Sequence, residues 1–316
     1  MPVHQIKFQN LAKNKIRLDT CLVDHLGWTK TKVQKHIKNG CVQVNQNVVL
    51  KSGFILDQSD YQIEIKPIDW LITSEQTNQD LKWSDLWNKI IIVYQDDHLL
   101  IINKPSGILS HPTIKNENDT ITDFLSFYWQ QQKNQINLLR NGLSHRLDKE
   151  TSGLMIVAKT ELALKQILAD FATKKIVKKY YAIVQGKLPA KKIKINLPIG
   201  RSNNGTLKMR VNATKDLKEA ITEVSEIEAL HNHTLVECNL LTGRTHQIRV
   251  HLAHINHPVL NDYLYGHKIV NDPFGQYLHA GYIQLNHPIT KQKLVFQVAW
   301  PEEFEAKYQQ LRFKEI

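Results

Sequence analysis

The residues best suited to chemistry lie within positions 143–160, where a polar run leads directly into an apolar one. The polar part contains five charged or titratable side chains: His145, Arg146, Asp148, Lys149 and Glu150. The apolar part, residues 154–158, has the composition of a buried strand, and Ser152-Gly153 provides turn-forming residues before it. A strand end holds a carboxylate more rigidly than a free loop does, which suits a catalytic site. On polarity alone, a solvated surface turn would be the favoured interpretation.

The order of these residues resembles a family signature. His-Arg-Leu-Asp at 145–148, followed by Thr-Ser-Gly at 151–153, is similar to the signature of the RluA family of pseudouridine synthases. Asn-Lys-Pro-Ser-Gly at 103–107 and Thr-Gly-Arg-Thr-His-Gln-Ile-Arg at 242–249 resemble the first and third motifs of that family. Lys-x-Tyr-x-Ala at 178–182 resembles the motif that carries its active-site tyrosine. The resemblance extends over about residues 16–66 and 90–304, which is nearly the whole chain.

The resemblance implies an enzyme that isomerises uridine in RNA to pseudouridine. The reaction breaks a carbon–nitrogen glycosidic bond and rejoins uracil through carbon five, so we expect neither a cofactor nor a metal. Asp148 would be the catalytic carboxylate, either as a nucleophile on the sugar or as a base at the neighbouring ribose carbon. Tyr180 would stack on the uracil or assist a proton transfer. A guanidinium opposes the rise in pKa that burial imposes on a carboxyl group; we expect Arg249 there, with Arg244 as the alternative.

RNA contacts are expected around this site. A base inside a helix must be flipped out before it can react, and Arg146 is expected to occupy the space that it leaves. Residues 170–220 contain thirteen Lys or Arg against three acids, a net charge of +10 that favours contact with phosphates. The residues predicted to bind RNA in this part of the chain are His145, Arg146, Lys178, Arg201, Arg210 and Arg244.

The first 66 residues resemble the small RNA-binding domain named after ribosomal small-subunit protein four. The pattern predicts helices over 16–26 and 30–38, a hairpin over 41–50 and a closing strand over 61–65. Ten Lys or Arg against five acids give this segment a net charge of +5. The residues predicted to bind RNA are Arg17, Lys30, Lys35 and Lys38. The alternative is a protein-interaction domain with a solvated basic face.

The chain is expected to form two domains, residues 1–66 and 90–316, joined by a polar linker over 67–89. The fold implied by the family is α+β, with a large, mainly antiparallel mixed sheet and flanking helices. Helices are predicted after Thr120 and after Thr160, with Leu164, Leu168 and Phe171 as the core stripe of the second. A terminal helix is predicted after Pro301.

The composition of the chain indicates what kind of partner it binds and in which compartment it is expected. The 316 residues carry a formal net charge of +11 with a pI near 9.4, which indicates a polyanionic partner. No apolar run reaches the length of a membrane span and no signal-peptide core is seen, so a cytoplasmic protein is expected. The three cysteines lack metal-ligand spacing, and a zinc site at His251, His254 and His257 is disfavoured because no carboxylate or thiol accompanies them. We expect a monomer.

Three alternatives remain for the function. The family resemblance with this appended domain favours large-subunit ribosomal RNA as the substrate, and transfer RNA is the alternative. A catalytically silent RNA-binding assembly factor would be expected to lack the Asp, the Tyr or the Arg, and all three are present. An Asp/His hydrolase is disfavoured because neither a nucleophile elbow nor a carboxylate pair is found.

Overall fold

The computed structural model describes residues 4–9, 15–38, 40–57, 60–65, 84–113, 118–132, 136, 138–202, 208–266 and 272–313. The chain forms two compact units, Met1–Lys82 and Trp83–Ile316. The boundary between them falls within 67–89, the stretch predicted to be a linker, of which residues 67–83 lie outside the described part. None of the described helices is long and apolar enough to cross a membrane.

The N-terminal unit packs two helices, α1 (Leu18–Leu26) and α2 (Lys30–Lys38), with short strands. Both helices confirm the sequence prediction, and Gly27 ends α1 in the left-handed conformation, with φ 63°. The described strands are β1 (His4–Gln9), β2 (Ile16–Arg17), β3 (Val42–Val44), β4 (Asn47–Val48), β5 (Ile55–Leu56) and β6 (Asp60–Ile65). One sheet has the order β1-β6-β3-β4, and β2 pairs with β5. Strand β1 was not predicted from the sequence.

The larger unit contains a large sheet and a separate small sheet. Its strands, in chain order from β7 to β18, are Ile91–Gln95, Leu99–Lys104, Ser152–Ala158, Val177–Gln185, Lys192–Asn196, Ile199–Arg201, Met209–Val211, Lys215–Lys218, Ile221–Leu230, His233–Leu240, Leu278–Asn286 and Lys293–Gln297. The large sheet has nine strands in the order β11-β15-β16-β10-β17-β9-β8-β7, with β18 paired to β17, and β12 to β14 form the small sheet. Within the described residues, β9 and β17 are the one parallel pair, which confirms a mainly antiparallel mixed sheet.

Four helices of the larger unit are described: α3 (Ile121–Gln131), α4 (Glu161–Ala172), α5 (Gln247–His254) and α6 (Glu302–Arg312). The caps predicted for α3 and α4 are confirmed, because the side chains of Thr120 and Thr160 accept backbone N–H groups of the first helical turn. Short 3-10 helices lie at Asp85–Lys89 and Leu139–Gly142.

The predicted core stripe of α4 is partly wrong. Leu168 is 46% exposed, whereas Ala163 and Ile167 are fully buried. Leu164 and Phe171 pack only at the edge of the core. The buried face therefore lies one position earlier along the helix than the leucine spacing indicated.

Strand β9 is the central element of the site, because it directly follows the Asp148 loop. All seven of its residues are buried. Its start lies unusually close to β17, where Gly153 pairs with Ala280. Gly153 has φ 122°, and a Cβ atom there would lie 2.3 Å from the carbonyl oxygen of Ala280. Only glycine fits this approach, so the turn is fixed where the loop enters the sheet.

Candidate active site

The main chain on both sides of Asp148 is held by the loop that follows β8. Lys104 is fully buried and its Nζ donates to the carbonyl oxygen of Lys149 at 2.9 Å and to two carbonyls of its own loop. Burial lowers the pKa of Lys104 to about 7. The Ser110 hydroxyl donates to the carbonyl oxygen of Leu147 at 2.7 Å and accepts its N–H at 3.0 Å. The segment resembling the first family motif thus supports the segment that carries the carboxylate.

Arg249 joins two carboxylates. Its Nη1 donates to Oδ2 of Asp148 at 3.0 Å, and its Nε and Nη2 donate to the two oxygens of Asp262 at 2.7 and 2.8 Å. The side chains of Arg249 and Asp262 are 3% and 0% exposed, whereas that of Asp148 is 16% exposed. Burial alone would lower the pKa of Arg249, but the hydrogen bonds and charge of Asp262, together with Asp148, raise it. Asp148 is therefore the accessible member of a buried charged triad.

Asp262 is itself fixed by its backbone surroundings. Its Oδ1 also accepts the N–H groups of Leu264 at 3.0 Å and Tyr265 at 3.1 Å. The turn after Asp262 therefore orients the carboxylate, and the carboxylate in turn orients the guanidinium toward Asp148.

His246 faces the other oxygen of Asp148. Its Nε2 lies 3.8 Å from Oδ1 of Asp148, and its Nδ1 lies 2.9 Å from the hydroxyl of Tyr265. That hydroxyl also accepts the backbone N–H of Met209 at 2.9 Å. Burial is the main reason that the pKa of His246 is lowered from its ordinary value, so the imidazole is neutral at pH 7.

Tyr180 lies in the same cleft, on β10. It is 6% exposed, and burial together with the negative charge of Asp148 raises the pKa of its hydroxyl well above the ordinary value. The phenol is therefore protonated at neutral pH and can donate a hydrogen bond. Tyr181, its neighbour on the strand, packs against Trp300 in a different cluster.

The cleft is open to solvent and has a volume of about 60 Å³. It brings together five of the predicted site residues: Arg146, Asp148, Tyr180, Arg244 and Arg249. Apolar walls come from Leu147, Ile248 and Leu278. A mainly polar cleft that holds a carboxylate, a guanidinium and a phenol beside a few apolar side chains is suited to a polar base attached to a sugar.

Arg244 was the alternative partner predicted for Asp148, but its Nε donates to the carbonyl oxygen of Glu219 at 2.8 Å. Among the described residues, Arg249 is the guanidinium that reaches Asp148. Arg146 is exposed, and its Nη1 lies 3.3 Å from Nε2 of His111. Arg146 and Arg244 thus lie at the cleft without pairing to its carboxylate.

His145 packs against the core of the larger unit. Its Nε2 accepts the backbone N–H of Ile156 at 2.9 Å, and its ring packs against Phe171. Burial, with a smaller contribution from the charge of Lys178, lowers the pKa of His145 to about 3. A neutral imidazole that accepts from a core strand is a structural group, so this position does not support the predicted contact with RNA.

The remaining predicted RNA-binding residues lie outside the cleft. Lys178 is over the ring of Phe171 at 5.0 Å, and burial lowers its pKa to about 8. Arg201 and Arg210 are exposed on the small sheet. In the N-terminal unit, Arg17 forms a bidentate pair with buried Asp19, both bonds being 2.9 Å, which supports a structural role.

Two of the lysines predicted to bind RNA in that unit, Lys30 and Lys38, are exposed on α2. Lys35 belongs to the same helix, but its side chain lies outside the described part of the chain.

Three residues that contact or support the segment around Asp148 and Arg249 were not identified from the sequence: Lys104, His246 and Asp262. Each lies in a segment that resembles the family, but no role followed from spacing or residue type alone. The signal for Asp262 was its place in a Pro/Gly-bounded segment, residues 258–266. Because its partner Arg249 lies 13 positions away on a helix, the pairing depends on how the turn packs against the helix.

Two of the three histidines spaced by three along α5 and beyond it, His251 and His257, have hydrogen-bonding partners. His251 is fully buried between the Thr222 hydroxyl, 2.8 Å from Nδ1, and the carbonyl oxygen of Leu197, 2.9 Å from Nε2. Nδ1 of His257 contacts the carbonyl oxygen of Gln185. Within the described ranges, no group of three or more His, Cys, Asp or Glu side chains has a metal-binding arrangement.

Residues 98–254 match the family model for RNA pseudouridylate synthase. An uncharacterized RNA pseudouridine synthase of Mycoplasma genitalium is 35% identical, over 93% of this chain and 92% of its own. A ribosomal large subunit pseudouridine synthase D of Zymomonas mobilis is 31% identical, over 98% of both chains. A solved structure, human RNA pseudouridylate synthase domain-containing protein 4, has a TM-score of 0.58 and 27% identity, covering 70% of this chain and 92% of that chain.

Proposed function

The chain belongs to the RluA-like family of RNA pseudouridine synthases, and we propose that it isomerises a uridine of large-subunit ribosomal RNA, with Asp148 as the catalytic carboxylate. The Zymomonas mobilis relative, whose name refers to the large ribosomal subunit, is similar over almost its full length, which supports this substrate.

One observation carries the assignment of Asp148: it is the accessible carboxylate of the triad with Arg249 and Asp262. The guanidinium keeps Asp148 oriented while a bound nucleotide excludes water from the cleft. An ionised, oriented carboxylate can attack the sugar carbon or accept a proton from its neighbour. Asp262 is fully buried and holds its own hydrogen bonds, so it stays out of reach of the nucleotide.

Tyr180 is proposed to bind the uracil. Its ring forms part of the cleft wall near Asp148, and a protonated phenol can donate to a carbonyl oxygen of the base. The raised pKa makes it a poor base at neutral pH, so stacking and hydrogen-bond donation are the roles that we assign to it.

The RNA is proposed to approach over the exposed basic residues. Arg146 lies at the cleft with an exposed guanidinium, which suits it to fill the place of a flipped base. Arg201 and Arg210 offer positive charge on the small sheet. For the N-terminal unit we propose RNA binding of the ribosomal protein four type, with exposed Lys30 and Lys38 as phosphate contacts.

The test uses Asp148→Asn in the full chain, with exposed Asp97→Asn as the matched control. Tritium release from carbon-five-labelled RNA should be abolished in the first variant and unchanged in the second, with RNA affinity retained in both. Mapping pseudouridines in total RNA, with and without the gene, should locate the target in the large ribosomal subunit.

Each result has a defined meaning. Activity of Asp148→Asn within tenfold of wild type would contradict the catalytic assignment. A target found in transfer RNA would overturn the proposed substrate but leave the chemistry intact. An inactive wild-type protein that still binds RNA would favour the assembly factor.

A further inference from the structure

We propose that His246, held in place by Tyr265, is a second group that positions the Asp148 carboxylate for reaction. This inference rests on the proposed function of Asp148 and deepens it. The carboxylate has a different basic neighbour at each oxygen: Nη1 of Arg249 lies 3.0 Å from Oδ2, and Nε2 of His246 lies 3.8 Å from Oδ1. Arg249 alone leaves the carboxylate free to rotate about its single contact, whereas two neighbours define its plane.

The orientation of the imidazole follows from Tyr265. The tyrosine hydroxyl accepts the backbone N–H of Met209, so its own proton is available for Nδ1 of His246. A neutral imidazole has one donor and one acceptor nitrogen. When Nδ1 accepts from the tyrosine, the proton lies on Nε2, which faces Asp148.

The 3.8 Å separation is longer than a hydrogen bond. Contacts of this kind in a free enzyme commonly shorten when the substrate excludes water from the site. His246 and Asp148 both line the cleft and each side chain is 16% exposed, so a bound nucleotide would cover both groups. The contact would then become a hydrogen bond to the ionised form of the carboxylate.

The backbone of His246 is held in an uncommon conformation. Its φ is 56°, in the left-handed region, which non-glycine residues adopt only at an energetic cost. The side chain makes no capping bond to α5, the helix that begins at the next residue. The turn is instead fixed by Gln247, whose Oε1 accepts the N–H of Arg244 and the hydroxyl of Thr242. From this position the side chain of His246 lines the cleft.

Tyr265 also connects this contact to the small basic sheet. Met209, whose N–H it accepts, is the first residue of β13 and precedes exposed Arg210. Tyr265 packs against the hydrophobic cluster that contains Val211 of β13 and Val250 of α5. RNA bound at Arg210 would thus rest on the strand that fixes Tyr265, and through it His246.

The test compares four variants of the full-length protein: Tyr265→Phe, His246→Asn, the double variant that combines these two changes, and His246→Gln. Asparagine tolerates the left-handed conformation, so it removes the ring without adding backbone strain. Glutamine can place its amide nitrogen near the position of Nε2. Tyr128→Phe, which loses a hydroxyl bonded to Gln95 outside the cleft, is the matched control.

We expect His246→Asn to lower the single-turnover rate at saturating RNA by about tenfold, the value of one hydrogen bond to a charged group. Tyr265→Phe should lower it less, and the double variant should be no slower than His246→Asn, because both changes act through one contact. His246→Gln should recover part of the rate. The dissociation constant for RNA should change by less than about twofold in all of them.

If His246 had only a structural role, its replacement would lower the stability of the protein. It would not lower the single-turnover rate while leaving the affinity for RNA unchanged, and glutamine would not restore the rate. Wild-type rates in both Tyr265→Phe and His246→Asn would overturn the proposal, as would weaker RNA binding at an unchanged saturated rate. Should His246→Asn fail to fold, Tyr265→Phe decides alone by the same criteria. The proposed function is tested separately. If the wild-type protein is active and Asp148→Asn is inactive, that function stands whatever the result for these variants.

Discussion

Replacing Arg249 should have two separable effects, because its guanidinium binds one carboxylate that stabilises the fold and one that is proposed to react. Arg249→Met keeps the length and apolar volume of the side chain but removes all three hydrogen bonds. Asp262 then stays fully buried without a counter-charge. Asp148, which is 16% exposed, loses its guanidinium but keeps some access to water.

The loss of stability should be close to the lower end of the ~3–5 kcal/mol expected when one partner of a buried ion pair is removed. The lower end applies because Asp262 still accepts the N–H groups of Leu264 and Tyr265. The rate should fall because the hydrogen bond to Asp148 is removed. A charge-assisted hydrogen bond contributes about 1.5–3 kcal/mol, which corresponds to a single-turnover rate lower by about 10- to 150-fold.

The decisive measurement adds Asp262→Asn to Arg249→Met. Asparagine is neutral and keeps an oxygen for the two backbone N–H groups, so the double variant should regain most of the unfolding free energy in urea titrations. It should not regain the rate, because Asp148 still has no guanidinium. Arg244→Met is the control, since its Nε bonds a carbonyl oxygen and not Asp148.

A double variant that regains rate and stability together would mean that Arg249 only supports the fold. A large loss of rate in Arg244→Met, with none in Arg249→Met, would mean that the assignment of the two arginines is wrong.

Two further predictions concern other parts of the chain. Lys30→Gln and Lys38→Gln should weaken RNA binding in filter assays. The slope of log binding constant against log salt concentration should fall by roughly 0.7–0.9 for each phosphate that is no longer neutralised, while the single-turnover rate at saturating RNA stays unchanged. An unchanged slope would favour the protein-interaction domain. The pKa of His145 is lowered to about 3 in the folded protein, so on acidification the unfolded state takes up the proton at a higher pH than the folded state does. The free energy of unfolding should therefore fall as the pH drops from about 6.5 toward 3, by up to about 1.4 kcal/mol per pH unit. His145→Gln, which can still accept the N–H of Ile156, should flatten this acid dependence in urea unfolding, whereas exposed His254→Gln should not.

The sequence predicts elements well where one residue type decides the local structure. Thr120 and Thr160 cap helices because their hydroxyls satisfy free N–H groups, and Gly27 ends α1 because it tolerates positive φ. No single residue determined in this way which face of α4 is buried. Leu162, Leu164 and Leu168 offer apolar side chains on more than one face, so packing against the sheet decided which face is buried.

The residues that surround Asp148 in the site were less predictable from the sequence than Asp148 itself. Asp148 and Arg249 are 101 positions apart, and only the family resemblance connected them before the fold was known. The role of His246 depends on a left-handed turn, and that of Asp262 on a turn that follows α5; neither periodicity nor charge reveals these turns. The surroundings of His145 could not be predicted either, because the residue lies in a charged run while its ring accepts a hydrogen bond from a core strand.

The second carboxylate of the triad has a consequence for the proposed reaction. Whether Asp148 attacks the sugar or accepts a proton, it loses its negative charge at that step. A guanidinium paired only with Asp148 would then be left as an unpaired buried cation, which costs several kcal/mol. Because Arg249 keeps both hydrogen bonds to Asp262, it remains compensated throughout, and the loss of charge on Asp148 carries a smaller penalty. The pair with Asp262 therefore lowers the free energy of the intermediate, whichever of the two chemical routes the carboxylate takes.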